Sequence, residues 1–104
     1  MPPLVPPDDL EAVARRFRLL GEPVRLELLN ALHGEGEMTV GDLVDATGQR
    51  QANVSKHLKR MAEAGLLRRS QEGVYVYYAL ADPTLAALCQ LVRARLDGEL
   101  AADA

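Results

Sequence analysis

The apolar residues of this chain recur at helical spacing over most of its length and switch once to strand spacing. Val24, Leu28, Leu29 and Leu32 form one stripe of period 3.6, and Val54, Leu58 and Met61 form a second. Leu85, Leu88, Leu91, Val92 and Leu96 form a third. Punctuation residues set the limits. Asp8 with Glu11 reads as a capping box opening a first helix that runs to about Leu20 and breaks at Gly21. Pro23 suits the first turn of a second helix, which stops at Gly34. Thr39 with Asp42 forms another capping box, for a short helix to about Ala46 that Gly48 ends. A longer helix is predicted from Gln51 to Ala64, with Gly65 as its stop. "LLRRS" and "VYVYYAL" are strand-like, and "QEG" between them predicts a hairpin turn at Gln71, Glu72 and Gly73. Asp82-Pro83 opens the last helix.

The predicted order is therefore four helices, a β-hairpin and a fifth helix. This is a mainly α fold with a hairpin wing. The first seven residues hold four prolines and are expected to be a flexible arm, leaving 8–104 as one domain.

Within that order, the third and fourth helices are joined by a short Gly-containing turn, the spacing of a helix-turn-helix. At 100° per residue, Val54, Leu58 and Met61 fall on one side of the fourth helix. Ala52, Ser55, Lys56 and Lys59 then point away, flanked by Gln51, Asn53 and Arg60. Such a face is small or polar at its start and basic further on, which suits a helix entering the major groove. Gln and Ser can read base edges, while Lys and Arg contact phosphates. Arg68 and Arg69 on the hairpin extend the cationic surface.

Charge sharpens this picture. The net charge is −3, yet six Lys/Arg against two acids give Gln49–Gly73 a local +4, and the rest carries −7. A localised basic face on an acidic chain is the footprint of a polyanion binder. With 104 residues, 48% apolar, the chain fits one domain small enough to favour dimerisation. No segment approaches the roughly 18 apolar residues of a membrane span, and "MPPLVPPDD" is unlike a signal peptide, so a cytoplasmic location without membrane contact is expected. Double-stranded DNA is the expected partner. No Ser-His-acid or Cys-His spacing and no Gly-rich phosphate loop occurs, so no catalytic residue and no cofactor is expected.

Four stretches, "FRLLGEPVRLELLNAL", "MTVGDLVDATG", "QANVSKHLKRMAEAGLL" and "GVYVYYAL", together resemble the ArsR/SmtB family of winged-helix bacterial repressors over roughly residues 10–85. The resemblance implies a homodimer built from the first and last helices, an inverted-repeat operator, and repression relieved by a signal. It implies DNA contacts by Gln51, Ala52, Ser55 and Lys56. The apolar residues available to the dimer interface are Leu10 and Phe17 on the first helix, with Leu85, Leu88, Cys89 and Val92 on the last.

The chain also departs from the family. Where many members carry a metal-binding Cys-Val-Cys, it reads Thr39-Val40-Gly41, and its last helix has no His. No metal site is expected, and the sequence names no inducer.

The remaining polar and aromatic residues are read structurally. Cys89 is expected to be a buried thiol of the dimer face, a redox-active thiol being the sharper alternative. His57 is expected to pack or hydrogen-bond locally and so set the helix angle, and His33 to cap the second helix. Arg25 is expected to pair with a nearby acid. Tyr78 is expected to pack, with Tyr75 and Tyr77 left open. Two other functions remain: a winged-helix protein-interaction module, and a DNA-binding thiol sensor using Cys89.

Overall fold

The computed structural model describes residues 1–103; residue 104, the last of the expected domain, lies outside that range. After a 3-10 turn at Pro7–Asp9, five helices follow: α1 (Leu10–Leu20), α2 (Pro23–Glu35), α3 (Val40–Thr47), α4 (Gln51–Glu63) and α5 (Thr84–Asp103). Three strands, β1 (Glu37–Thr39), β2 (Leu67–Glu72) and β3 (Tyr75–Leu80), form an antiparallel sheet in the order β1-β3-β2.

Local chemistry explains most boundaries. Pro23 sits in the first turn of α2, where a missing N–H leaves no bond unmade. The capping box of α3 forms as the sequence predicts: Asp42 N–H donates to Thr39 Oγ1, and Thr39 N–H donates to Asp42 Oδ2, both at 3.0 Å. Gly48 ends α3 in the left-handed region, φ 71°, and its N–H closes on the Val44 carbonyl at 2.8 Å.

The core lies where α2, α3 and α4 meet one face of the sheet. Leu28, Leu32, Leu43, Leu58, Met61 and Leu66 are fully buried in it. Each such side chain contributes roughly 1.5–3 kcal/mol by leaving water. Val54, Leu58 and Met61 all point inward, as the phasing of α4 requires.

The outer helices are covered unequally. Leu20 is the one buried residue of α1, and Leu85, in the first turn of α5, joins the core. Beyond that turn Leu91, Val92 and Leu96 are exposed. Leu10 and Phe17 on α1 are exposed as well.

Several expectations change. The Asp8–Glu11 capping box does not form. Two prolines tighten the chain into the 3-10 turn, closed by Asp9 N–H on the Pro6 carbonyl at 2.9 Å. Asp9 then precedes α1 without a side-chain cap, and Glu11 accepts from Arg18 instead, at 3.0 Å. α2 runs one turn-fragment past Gly34 to Glu35, and Gly36 N–H closes it on Leu32 O at 2.7 Å. His33 is thus an exposed last-turn residue and not the cap. The hairpin turn falls at Gly73-Val74, because Glu72 pairs with Tyr75. Gly73 takes φ 62°, which a two-residue hairpin turn demands and glycine tolerates. Gln71 and Glu72 belong to β2. The strand β1 was not expected.

Candidate nucleic-acid interface

α3 and α4 are joined by Gly48, Gln49 and Arg50, and side chains wire that turn together. Thr47 Oγ1 donates to the Leu43 carbonyl at 2.7 Å and accepts the Gln49 N–H at 3.3 Å. Gln49 Oε1 accepts from Asn53 Nδ2 at 3.4 Å. Asn53, expected to face DNA, is half-buried and donates this one hydrogen bond to the turn.

The outward face of α4 is otherwise as phased. Gln51, Ala52, Lys56, Lys59 and Arg60 are exposed, while Ser55 is half-buried on the flank. The core contacts of Val54, Leu58 and Met61 fix the rotation of the helix, so this face cannot turn inward without exposing all three.

Arg68 and Arg69 are both exposed on β2 but are not equivalent. Consecutive strand residues point to opposite faces. Arg69 lies opposite Tyr78, on the core-facing side, and Arg68 lies opposite Ala79, on the other. Ser70 Oγ donates to Glu37 Oε1 at 3.2 Å on that outer face, tying β2 to β1 across β3. Tyr75 and Tyr77 share the outer face as a tilted pair 6.4 Å apart, and Tyr78 is buried as expected.

The distribution of ion pairs separates this surface from the rest. The chain has twelve Lys and Arg. Five of them pair with carboxylates on or beside α1 and α5: Arg15 and Arg18 with Glu11, Arg16 with Asp82, Arg93 with Asp97, and Arg95 with Glu99. Arg25 is buried. The other six are Arg50, Lys56, Lys59, Arg60, Arg68 and Arg69, and among the described residues none of these forms an ion pair. The acids gather elsewhere. Glu27, Glu35, Glu37, Asp42 and Asp45 line an open groove between α2 and α3.

Behind the exposed face of α4, His57 is buried, and its Nδ1 accepts from Arg25 Nε at 3.1 Å. Burial, and next the Arg25 charge, hold the imidazole below the usual histidine pKa. The local hydrogen bond expected of His57 is present. The acid expected beside Arg25 is not its partner: the guanidinium meets an imidazole and, through Nη1, the Leu19 carbonyl at 3.2 Å. A lone arginine in the first turn of α2 gives no sign from sequence that it turns inward.

The proposed dimer residues divide. Leu10, Phe17, Cys89 and Val92 are exposed, and Leu88 is half-buried. Leu85 is buried in the chain's own core and is unavailable to a partner. Cys89, expected to be buried, is exposed in the single chain. Phe17, Leu20, Leu26, Leu88, Val92 and Leu96 border one mainly apolar groove of about 450 Å³ between α1, α2 and α5. At the Thr39-Val40-Gly41 position, the Thr39 hydroxyl is used by the helix cap. Among the described residues no three His, Cys, Asp or Glu side chains gather as a metal site. No described helix is long and apolar enough to cross a membrane.

A helix-turn-helix followed by a hairpin, the two carrying the exposed cations that form no ion pair among the described residues, is the arrangement of a winged-helix DNA-binding regulator. A helix-turn-helix domain family matches residues 20–70. The chain is 35% identical over 89 residues to a protein of Streptomyces lividans named as a probable mercury resistance operon repressor, covering 86% of this chain and 70% of that one. It superposes on an antimony-specific transcriptional repressor with TM-score 0.82 and 28% identity, over 94% and 88% of the two chains. It also superposes on a homodimeric winged helix-turn-helix DNA-binding domain of Mycobacterium bovis, described as a possible ArsR-family regulator, with TM-score 0.75 and 33% identity, over 88% and 83%. The chain belongs to the ArsR/SmtB family of winged helix-turn-helix transcriptional repressors.

Proposed function

We propose that this chain is a homodimeric repressor that occupies an inverted-repeat operator in the cytoplasm. Each α4 enters a major groove, in half-sites about 34–36 Å apart. Gln51, Ala52 and Ser55 lie nearest the base edges. Arg50, Lys56, Lys59 and Arg60 contact phosphates, and the wing adds Arg68 and Arg69 from opposite faces of β2. The observation that carries this reading is that, among the described residues, the six exposed cations without ion pairs all lie between residues 50 and 69. Exposed cations release counterions when they meet phosphate, so affinity falls steeply with salt. A protein-docking role alone leaves that arrangement without a purpose.

The second copy covers the apolar face of α1 and α5, and with it Phe17, Val92 and Cys89. A homodimeric protein of the same fold supports assembly as a pair.

The test is selection of duplexes from a random 20-base-pair library, followed by gel shift of the winner at rising salt. Enrichment of an inverted repeat whose binding weakens with salt is the expected result. Failure to enrich any duplex, or binding indifferent to salt, overturns the proposal.

A further inference from the structure

Arg25 reaches three helices from one buried position. It belongs to α2, its Nη1 donates to the Leu19 carbonyl near the end of α1 at 3.2 Å, and its Nε donates to His57 Nδ1 of α4 at 3.1 Å. Arg25 is 8% and His57 6% exposed. A buried arginine is rare unless its donors are satisfied, and here an imidazole serves where a carboxylate would be usual. We infer that Arg25 and His57 are positioning residues for DNA binding, a strut that holds α4 against α1 and α2 only while the imidazole is neutral. This rests on the DNA-binding reading above.

The chemistry follows from the donor count. Arginine has donors and no acceptor, so the His57 nitrogen facing it must carry a lone pair. The ring is then neutral, with its proton on Nε2. Adding a second proton turns Nδ1 into a donor facing another donor and places two positive charges in contact. Other groups act on the ring: Glu22, at the start of α2, favours the charged form, while Lys56 and Arg60, on α4, oppose it. Burial and Arg25 outweigh Glu22, so the folded chain prefers neutral His57. Acid therefore removes the strut as pH falls through the folded pKa, which lies below the ordinary value of 6.5.

The sign of the effect is diagnostic. A histidine that merely adds charge near phosphates tightens DNA binding in acid. The strut requires the opposite.

The experiment uses the full chain and the duplex enriched from the random library, with affinity measured between pH 7.5 and pH 5.5. The wild type is expected to lose about tenfold in affinity as His57 takes up its second proton, within the range of ordinary coupling energies. His57→Asn keeps an acceptor near the Nδ1 position without a titrating group and is expected to hold its affinity across that range. Arg25→Ala is expected to bind weakly at every pH while remaining a folded dimer. Binding of the wild type that tightens in acid, or a pH profile unchanged by His57→Asn, overturns the inference and leaves the DNA-binding reading intact. If no duplex is enriched, both fall. Should either variant fail to fold, the imidazole nitrogen resonances of the wild type decide. A proton on Nε2 with Nδ1 bare at pH 7.5 is expected, and the opposite tautomer overturns the strut.

Discussion

Arg16 on α1 is ion-paired with Asp82, the residue two places ahead of α5. The same carboxylate serves α5. Its Oδ1 accepts the Thr84 N–H at 2.9 Å and the Thr84 hydroxyl at 2.7 Å. One side chain thus caps the last helix and anchors the first, the two helices whose apolar faces are uncovered. The Thr84 hydrogen bonds, helped by Arg16, hold the Asp82 carboxyl below its usual pKa. Asp82→Ala is expected to cost about 1 kcal/mol, the usual worth of a helix cap. A depressed carboxylate stabilises the fold above its unfolded pKa, and that gain is lost as pH falls through the folded one. The gap between wild type and variant should be constant from pH 5 to pH 8 and close below pH 3.8, read by urea unfolding at fixed protein concentration.

Leu85 and Val92 lie on the same helix and should respond oppositely. Leu85 is in the core, so Leu85→Ala is expected to destabilise the chain by about 2–5 kcal/mol. Val92 is 52% exposed, so Val92→Asp should leave the fold intact and split the pair into single chains. Circular dichroism and sedimentation velocity together separate the two outcomes.

On α4, Lys56→Glu with Lys59→Glu is expected to abolish operator binding with no change in melting temperature, since both side chains are exposed and unpaired. Lys59→Ala alone should weaken binding to all duplexes alike and lower the salt slope by about 1.

The cap of α3 should matter to stability more than to recognition. Thr39→Ala removes one half of a formed capping box and is expected to cost about 1 kcal/mol. Affinity for the enriched duplex, compared at a temperature where both proteins are folded, should change by less than about threefold, a difference of roughly 0.65 kcal/mol.

Much of the exposed face of α4 was legible in the sequence because periodicity and charge are strong local signals. Val54, Leu58 and Met61 fix the rotation of α4, and that rotation dictates where Lys56 and Lys59 point. What the sequence hid was tertiary. Helical spacing marks Leu85 and Val92 alike as apolar, yet cannot say that the first meets the core and the second does not. The hydrogen bond that joins Asn53 to Gln49 has no mark in the sequence pattern. Arg25 and His57 lie 32 positions apart, so no local pattern joins them. The strand β1 is three residues long and takes its form from β3, 38 to 42 residues further on. The hairpin turn was misplaced because "QEG" is as polar as the true turn is small.

The order β1-β3-β2 leaves β2 as a border strand, hydrogen-bonded to β3 on one side only. A bare border invites further strands to add on. Two copies in one assembly carry two such borders, the number an endless ribbon needs for growth. Arg68 and Arg69 stand on that border with charges on both faces, and like charges repel an approaching copy of themselves. The arginines of the wing therefore guard solubility when no nucleic acid is near, and their removal should be felt as turbidity in concentrated protein.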